Sequence, residues 1–205
     1  LAWKLGGEVT YVLEGNINYT GAVNTWLKDD LELISSPGET EQLAKESNPA
    51  DKSYLVPAFT GLGAPYWDSE ATGILTGMTR TTKRKEIVRA ALDCIAYQIT
   101  DVIKAMSTES GIDISELRVD GGPTKNKYLM QFQSDIAHVT VQVPSSEELS
   151  GIGAAYAAGI AAGIYNKKEV LNKMTRIRFT PQMQPEERAQ KYAGWKNAVE
   201  QVLHK

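Results

Sequence analysis

Chemistry in this sequence is best sought where a turn frees main-chain groups, and the run Leu117-Arg118-Val119-Asp120-Gly121-Gly122-Pro123-Thr124-Lys125-Asn126 is the clearest such place. A buried strand that ends in Asp-Gly-Gly and passes into a helix leaves backbone N–H groups facing outward with no Cβ in the way. A ligand, a nucleotide above all, can then lie against the main chain at the head of a helix. Open α/β sheets also bind ligands beyond the carboxyl ends of their strands. The plainer reading of the same residues is a tight turn that needs a positive φ, with Thr124 capping the helix. Both readings stand on the sequence alone.

Other chemistries have little support. The two histidines, His138 and His204, are far apart, and no cysteine joins them at zinc-like spacing, so a structural role is expected for each and no metal site is expected in this chain. There is no Gly-x-x-x-x-Gly-Lys-Ser/Thr, no Gly-x-Gly-x-x-Gly after a strand, and no local signature of a Ser/His/Asp hydrolase. Thr81-Thr82-Lys83-Arg84-Lys85 reads as a solvated basic loop. Trp67 and its aromatic neighbours read as packing residues under a Gly/Pro loop. Residues 150–164 are crowded with Gly and Ala, which suggests a helix packed closely on a neighbouring backbone.

The elements that must position the turn follow from periodicity. Residues 8–13 read as a strand leaving Gly6-Gly7, and 21–33 as an amphipathic helix stopped by Ser35-Ser36-Pro37-Gly38. Residues 37–52 read as a short helix plus loop, 54–59 as an apolar run, and 60–68 as a loop on Gly and Pro chemistry. Ile87, Ala91, Cys94, Ile95, Gln98, Val102, Ile103 and Met106 mark a helix of about six turns that closes at Ser110-Gly111. A strand at 117–120, a helix through Tyr128 to Ala137, a strand at 139–143, the 150–164 helix and an amphipathic segment around 188–203 complete the chain. The alternation implies an α/β domain with a largely parallel sheet, and nothing splits it, so one domain over 1–205 is expected. A strand so close to Leu1, which is not Met, suggests a piece cut from something longer, with earlier strands of the sheet outside it.

Composition narrows the class. Of 205 residues, 42% are hydrophobic and 23% charged, which excludes a disordered chain, and the net charge of −3 recommends neither nucleic acid nor an anionic membrane as partner. No apolar run approaches the roughly 20 residues that span a bilayer. A single cysteine, Cys94, points to a reducing compartment and so to the cytoplasm.

Several runs, taken together, resemble the C-terminal domain of the FGGY family of carbohydrate kinases. Gly73-Ile74-Leu75-Thr76-Gly77-Met78, seven residues, then Glu86-Ile87-Val88-Arg89-Ala90-Ala91-Leu92-Asp93 fits the family's second signature. Pro57 to Asp68 looks like the loop of its glycerol-phosphorylating branch. Ile95 to Gln98, Arg118 to Gly122, Leu129 to Asp135 and Gly153 to Tyr156 appear in the expected order.

The resemblance implies an actin-like (ribonuclease H-like) ATPase fold, truncated here at its N-terminal strands, as the ATP-binding half of a two-domain kinase. Such an enzyme transfers the ATP γ-phosphate to glycerol, giving glycerol 3-phosphate and ADP. It implies that Gly21 lies near the phosphates, that Gly122 and Asn126 line the adenosine pocket, and that Gly121 beside them belongs to the nucleotide-binding set. Thr25 stands where many such enzymes place a nucleotide-contacting Gln. The catalytic aspartate and most of the Mg²⁺ hold are expected upstream of this chain, so no catalytic residue is expected here and the piece alone is expected to be inactive. A kinase for another polyol or ketose, and a nucleotide-responsive scaffold without chemistry, remain as alternatives. Family members often form homo-oligomers, which the resemblance leaves open here.

Overall fold

The computed structural model describes residues 3–5, 7–145, 149–166 and 175–204. Its organising element is α3, Arg84–Ser110, 27 residues and about 40 Å long. The helix ends where the sequence says it should, because Gly111 takes the left-handed conformation (φ 66°) and its N–H donates to the Ser107 carbonyl. Glu86 starts it, accepting the N–H of Lys83 (2.9 Å) and that of Asn48 (2.8 Å). Burial alone would raise the Glu86 pKa, but these amides outweigh it and hold the carboxyl below its usual range.

Buried Ala90, Ala91 and Ala96 let neighbouring elements approach α3 closely. Packed against it are α2 (Thr40–Lys45), α4 (Lys127–Ala137) and β3 (Tyr54–Val56), the last paired antiparallel with β4 (Ile74–Thr76). Tyr97 of α3 stacks on Trp195 (centroids 5.2 Å, planes 8° apart) and meets Phe132 edge-on, which ties α4 and the C-terminal helix, Pro185–Glu200, into one core.

A mixed three-stranded sheet lies beyond α4. β5 (Glu116–Arg118) runs parallel to β6 (Thr140–Pro144), and β7 (Arg176–Phe179) pairs antiparallel with β6. β1 (Trp3–Leu5) and β2 (Glu8–Thr10) pair antiparallel with one another as a separate hairpin. Among the described residues only β5–β6 is a parallel pair, so the largely parallel sheet expected from the alternation of elements is corrected to a mixed one. The cause is β7, an Arg-Ile-Arg-Phe edge strand whose alternating charges leave no apolar run to mark it.

Four other expectations change. The strand at 8–13 is only Glu8–Thr10, and Tyr11, Val12 and Leu13 run on exposed. The helix over 21–33 is α1, Gly21–Thr25, continued to Asp30 by a wider turn in which the Leu31 N–H reaches the Trp26 carbonyl, five residues back. The helix over 150–164 is α5 (Leu149–Ala161), and its small residues are mostly exposed; the close approach is confined to Gly159, under the ring of Tyr165. Trp67 is not under its loop but 79% exposed. Tyr66 is held inward by Asp101, and the next residue turns through φ 54°, which directs Trp67 away.

Two buried polar clusters fasten loops to α3. Arg89, 6% exposed, donates to the Asn48 carbonyl (2.6 Å), the Asp51 carbonyl (2.8 Å), Ser47 Oγ and Asp51 Oδ1, and faces Asp93 one turn on. Asp101, 3% exposed, accepts from the Tyr66 hydroxyl (2.6 Å), Trp195 Nε1 (2.7 Å) and the Tyr192 hydroxyl. It joins the 60–68 loop, α3 and the C-terminal helix.

Candidate functional site

The Gly-Gly turn leaves β5 with Gly121 at φ 93° and ψ 176°, a conformation closed to residues with a Cβ. A short 3₁₀ turn, Gly122–Lys125, follows, and only then α4. The helix is capped by Asn126, whose Oδ1 accepts the Leu129 N–H (2.9 Å), and not by Thr124 as the plainer reading expected. Thr124 instead donates its hydroxyl to the Gly121 carbonyl (2.7 Å) and so clamps the turn. The expected row of bare amides is also shortened. The Gly121 N–H is taken by Asp120 Oδ1 (2.7 Å), and Pro123 has no N–H to offer.

The turn is held from outside by α2 and the residues that lead into it. Asn126 Nδ2 donates to Thr40 Oγ1 (3.1 Å), and the buried Thr40 hydroxyl donates in turn to the Pro37 carbonyl (2.7 Å). The Lys127 N–H donates to Glu41 Oε2 (3.0 Å). The Lys45 ammonium beside Glu41, with the Lys127 amide, keeps the Glu41 carboxyl below its usual pKa in spite of some burial. Across from the turn, Gln98 of α3 donates to the Tyr19 carbonyl (3.3 Å) and so fixes the approach to α1.

Between these walls lies a cavity of about 360 Å³. Gly21, Asn24 and Thr25 line it from α1; Pro37, Gly38, Thr40 and Glu41 from the α2 side; Gly122, Pro123, Lys125 and Asn126 from the turn. Leu92 and Leu129 form an apolar floor. A Cβ built on Gly21 or on Gly122 would meet nothing within 4 Å, so the main chain there is open to a ligand. Of the five residues singled out by resemblance, Gly21, Thr25, Gly122 and Asn126 converge here. Gly121 does not. It faces a second depression, of about 520 Å³, on the other side of the turn with Asp120, Val143 and Ile177, and the two share Gly122 and Lys125.

Sequence reasoning missed Asn24, Thr40 and Glu41. Thr40 and Glu41 carry no motif and arrive through tertiary packing. Asn24 had one signal, an amide beside the already selected Thr25. Its Oδ1 is buried and has no hydrogen-bond partner, one of two such side-chain atoms among the described residues.

The fit of a nucleoside and of Mg²⁺ can be judged from these residues. An apolar floor and open main chain at two glycines suit a purine nucleoside in size and chemistry. The Asp120 carboxylate at the turn is engaged by an amide, and among the described residues no group of three or more His, Cys, Asp and Glu side chains converges as a metal cage. His138 closes α4 at φ 56°, and the main-chain N–H of His204 donates to Asp68 Oδ2 (2.7 Å). No helix among the described residues is long and apolar enough to cross a membrane.

Comparison with known proteins follows the same lines. Residues 4–162 match the model of the FGGY family of carbohydrate kinases, C-terminal domain. The chain is 47% identical over 205 residues to a glycerol kinase of Caldanaerobacter subterraneus subsp. tengcongensis, covering 99% of this chain and 41% of that protein. It is 49% identical over 204 residues to a glycerol kinase of Petrotoga mobilis, covering 98% and 41%. The chain thus spans about two-fifths of the length of the curated relatives it matches. Among solved structures, a Plasmodium falciparum glycerol kinase with ADP superposes with a TM-score of 0.83 at 35% identity, over 90% of this chain and 37% of that one. A xylulose kinase of Rhodospirillum rubrum shares the fold at 22% identity and a TM-score of 0.74, over 90% of this chain and 38% of that one.

Proposed function

Because the chain belongs to the FGGY family of carbohydrate kinases and has the actin-like ATPase fold, we propose that residues 1–205 form one unit, the ATP-binding half of a glycerol kinase. In the whole protein the γ-phosphate of ATP passes to a glycerol hydroxyl, giving glycerol 3-phosphate and ADP. The observation that carries this reading is the single cavity that joins Gly21 and Thr25 to Gly122 and Asn126, about a hundred residues further along. Two points favour glycerol over another polyol or ketose: the 57–68 loop, and relatives at 47–49% identity that are glycerol kinases.

The part this chain plays is to bind and orient. The floor of Leu92 and Leu129 takes a flat base out of water, and the turn at Gly122 lets the ribose lie on the main chain. Gly21, at the opposite wall, leaves room for phosphates to pass toward the partner domain. Asn126 acts as a fixed post, since both ends of its amide are held. Thr25 is too short to repeat the contact of a Gln, so binding by this chain is weaker than in relatives that carry one. Mg²⁺, when bound with the nucleotide, neutralises phosphate charge, and its hold comes mainly from outside this chain. The chain alone lacks a catalytic aspartate and turns over no glycerol. The buried Cys94 suits a reducing compartment, and a cytoplasmic location goes with that.

The test is a titration of the chain with ADP together with a substrate panel on the full-length protein. Saturable ADP binding that Gly122→Val abolishes, with glycerol preferred over xylulose and other polyols, is the expected result. A panel in which a ketose is preferred would overturn the glycerol assignment, and loss of all nucleotide binding would overturn the site. Restoring the amide by Thr25→Gln should tighten ADP binding about three- to tenfold.

A further inference from the structure

Burying a carboxylate is costly unless its oxygens find donors, so one left half-satisfied beside an opening points to something that completes it. Asp93, 8% exposed on α3, is such a group. Its Oδ1 accepts from the Tyr128 hydroxyl (2.8 Å), but Arg89 Nε stands 3.9 Å from Oδ2, beyond hydrogen-bond reach. Oδ2 is nevertheless not sealed inside protein. Among the described residues, the fully enclosed side-chain atoms without a partner are Asn24 Oδ1 and Gln133 Oε1. Asp93 instead lines a cavity of about 330 Å³, together with Tyr54 and Tyr97. Burial first, and then the charge of Asp93, raise the pKa of both phenols, which places their hydroxyls near the carboxylate; the Tyr97 hydroxyl also lies against that of Tyr54. Gly194 of the C-terminal helix admits the Tyr54 ring, since a Cβ there would collide with its hydroxyl. This cavity shares no lining residue with the one beside the Gly-Gly turn.

The wall is balanced in charge, with Asp51, Asp93 and Glu187 set against Lys52, Arg89 and Lys191. A phosphate or carboxylate would find the Arg89 guanidinium already committed to Ser47, Asn48 and Asp51. An ammonium would meet Lys52 and Lys191, the latter 3.7 Å from Glu187. The ligand that suits such a wall is uncharged, donates to a carboxylate, exchanges hydrogen bonds with phenols and lays C–H groups on their rings. We propose that this cavity, between β3, α3 and the C-terminal helix, binds a small polyhydroxy compound whose hydroxyls complete the hydrogen bonding of Asp93. One hydroxyl donates to Asp93 Oδ2, and another accepts from Tyr54. The groups that face Asp93 are Arg89 on its own helix, Tyr128 on α4, Lys191 on the C-terminal helix, Tyr54 on β3 and Tyr97 on α3. Burial holds the carboxyl at a pKa of about 6 in spite of Tyr128, Arg89 and Lys191, which agrees with an acid short of one donor.

The experiment titrates the 205-residue chain with sorbitol, with a linear hexanediol that keeps the carbon chain but only its two end hydroxyls, and with inorganic phosphate. Ligand-detected NMR reads weak binding as well as strong. Sorbitol should saturate, and the hexanediol should bind at least about tenfold more weakly. Asp93→Asn, which replaces the charged acceptor by an amide, should weaken sorbitol about tenfold, and Tyr54→Phe about threefold. Lowering the pH from about 7 to about 5 protonates Asp93 and should weaken sorbitol at least about threefold in the native chain, while leaving Asp93→Asn unaffected. A purely structural role for Asp93 would give no such difference in pH dependence. If the asparagine variant does not fold, Tyr54→Phe, which keeps the ring, and the native pH profile carry the test. Sorbitol that fails to saturate, that binds no better than the hexanediol, or that binds more weakly than phosphate overturns the proposal. So does an unchanged sorbitol affinity in both variants.

Discussion

The polar clusters along α3 and the cavity beside it treat hydrogen-bonding capacity in opposite ways. Around Arg89 and Asp101 the buried groups are spent on one another: the Arg89 guanidinium reaches two carbonyls, a hydroxyl and a carboxylate, and the Asp101 carboxylate accepts from two phenols and an indole. Around the cavity, capacity is left over in the open main chain at Gly21 and Gly122. Buried networks that are fully satisfied hold loops in one place, whereas unsatisfied groups cost stability and are tolerated where something else can satisfy them. The two regions are joined through the same helix, because Leu92 of the cavity floor lies between Arg89 and Asp101 in α3.

The sharpest way to break this contrast is to empty the clusters. Arg89→Met leaves Asp51 and Asp93 buried without their cation and should cost about 3–5 kcal/mol, read as a fall in the urea midpoint. Asp101→Ala strands three donors at once and should cost a comparable amount, while Tyr192→Phe, which removes one donor and leaves the acid two, should cost only about 1 kcal/mol.

A pH profile probes the same cluster without a large structural change. Burial holds the Asp93 carboxyl at a pKa of about 6 against an ordinary 3.8, opposed in part by the Tyr128 hydroxyl and Arg89. Between those values the folded chain keeps a proton that the unfolded chain has lost. The Asp93 share of stability should therefore fall by about 3 kcal/mol as pH rises from 4 to 6 and level off above, against the opposite trend of carboxyls held low, such as Glu86 and Glu41. Asp93→Asn should remove that slope, and an unchanged slope would show that Asp93 is not its source.

Changes at the cavity should be smaller in stability and larger in binding. Gly121→Ala, at φ 93°, should cost about 1–3 kcal/mol through backbone strain. Asn126→Ala should cost about 1 kcal/mol as a lost helix cap and weaken ADP besides. Gly122→Val should leave the denaturation midpoint within about 0.5 kcal/mol of native, since its side chain enters open space, yet abolish ADP binding. A Gly122 variant that lost stability instead would mean that the turn belongs with the satisfied clusters.

Features set by a few neighbouring residues are legible in the sequence. The long helix and its end at Gly111 follow from spacing and one glycine, and the turn after Val119 from Asp-Gly-Gly. The family and its fold follow from short runs in a fixed order. Strands of three or four residues were harder, because β4 and β7 form only where a partner strand supplies their hydrogen bonds. The face chosen by Trp67 depended on Tyr66 meeting Asp101, 35 residues away. The cavity was the least legible feature. Each of Gly21, Gly122 and Asn126 could be named in advance, but their convergence needed Asn126 to reach Thr40 and Lys127 to reach Glu41, each across 86 residues. Local propensity acts over a few residues through sterics and helix or turn hydrogen bonds, so sequence determines it directly. Which side chains come to line one cavity is decided only once the distant segments have packed.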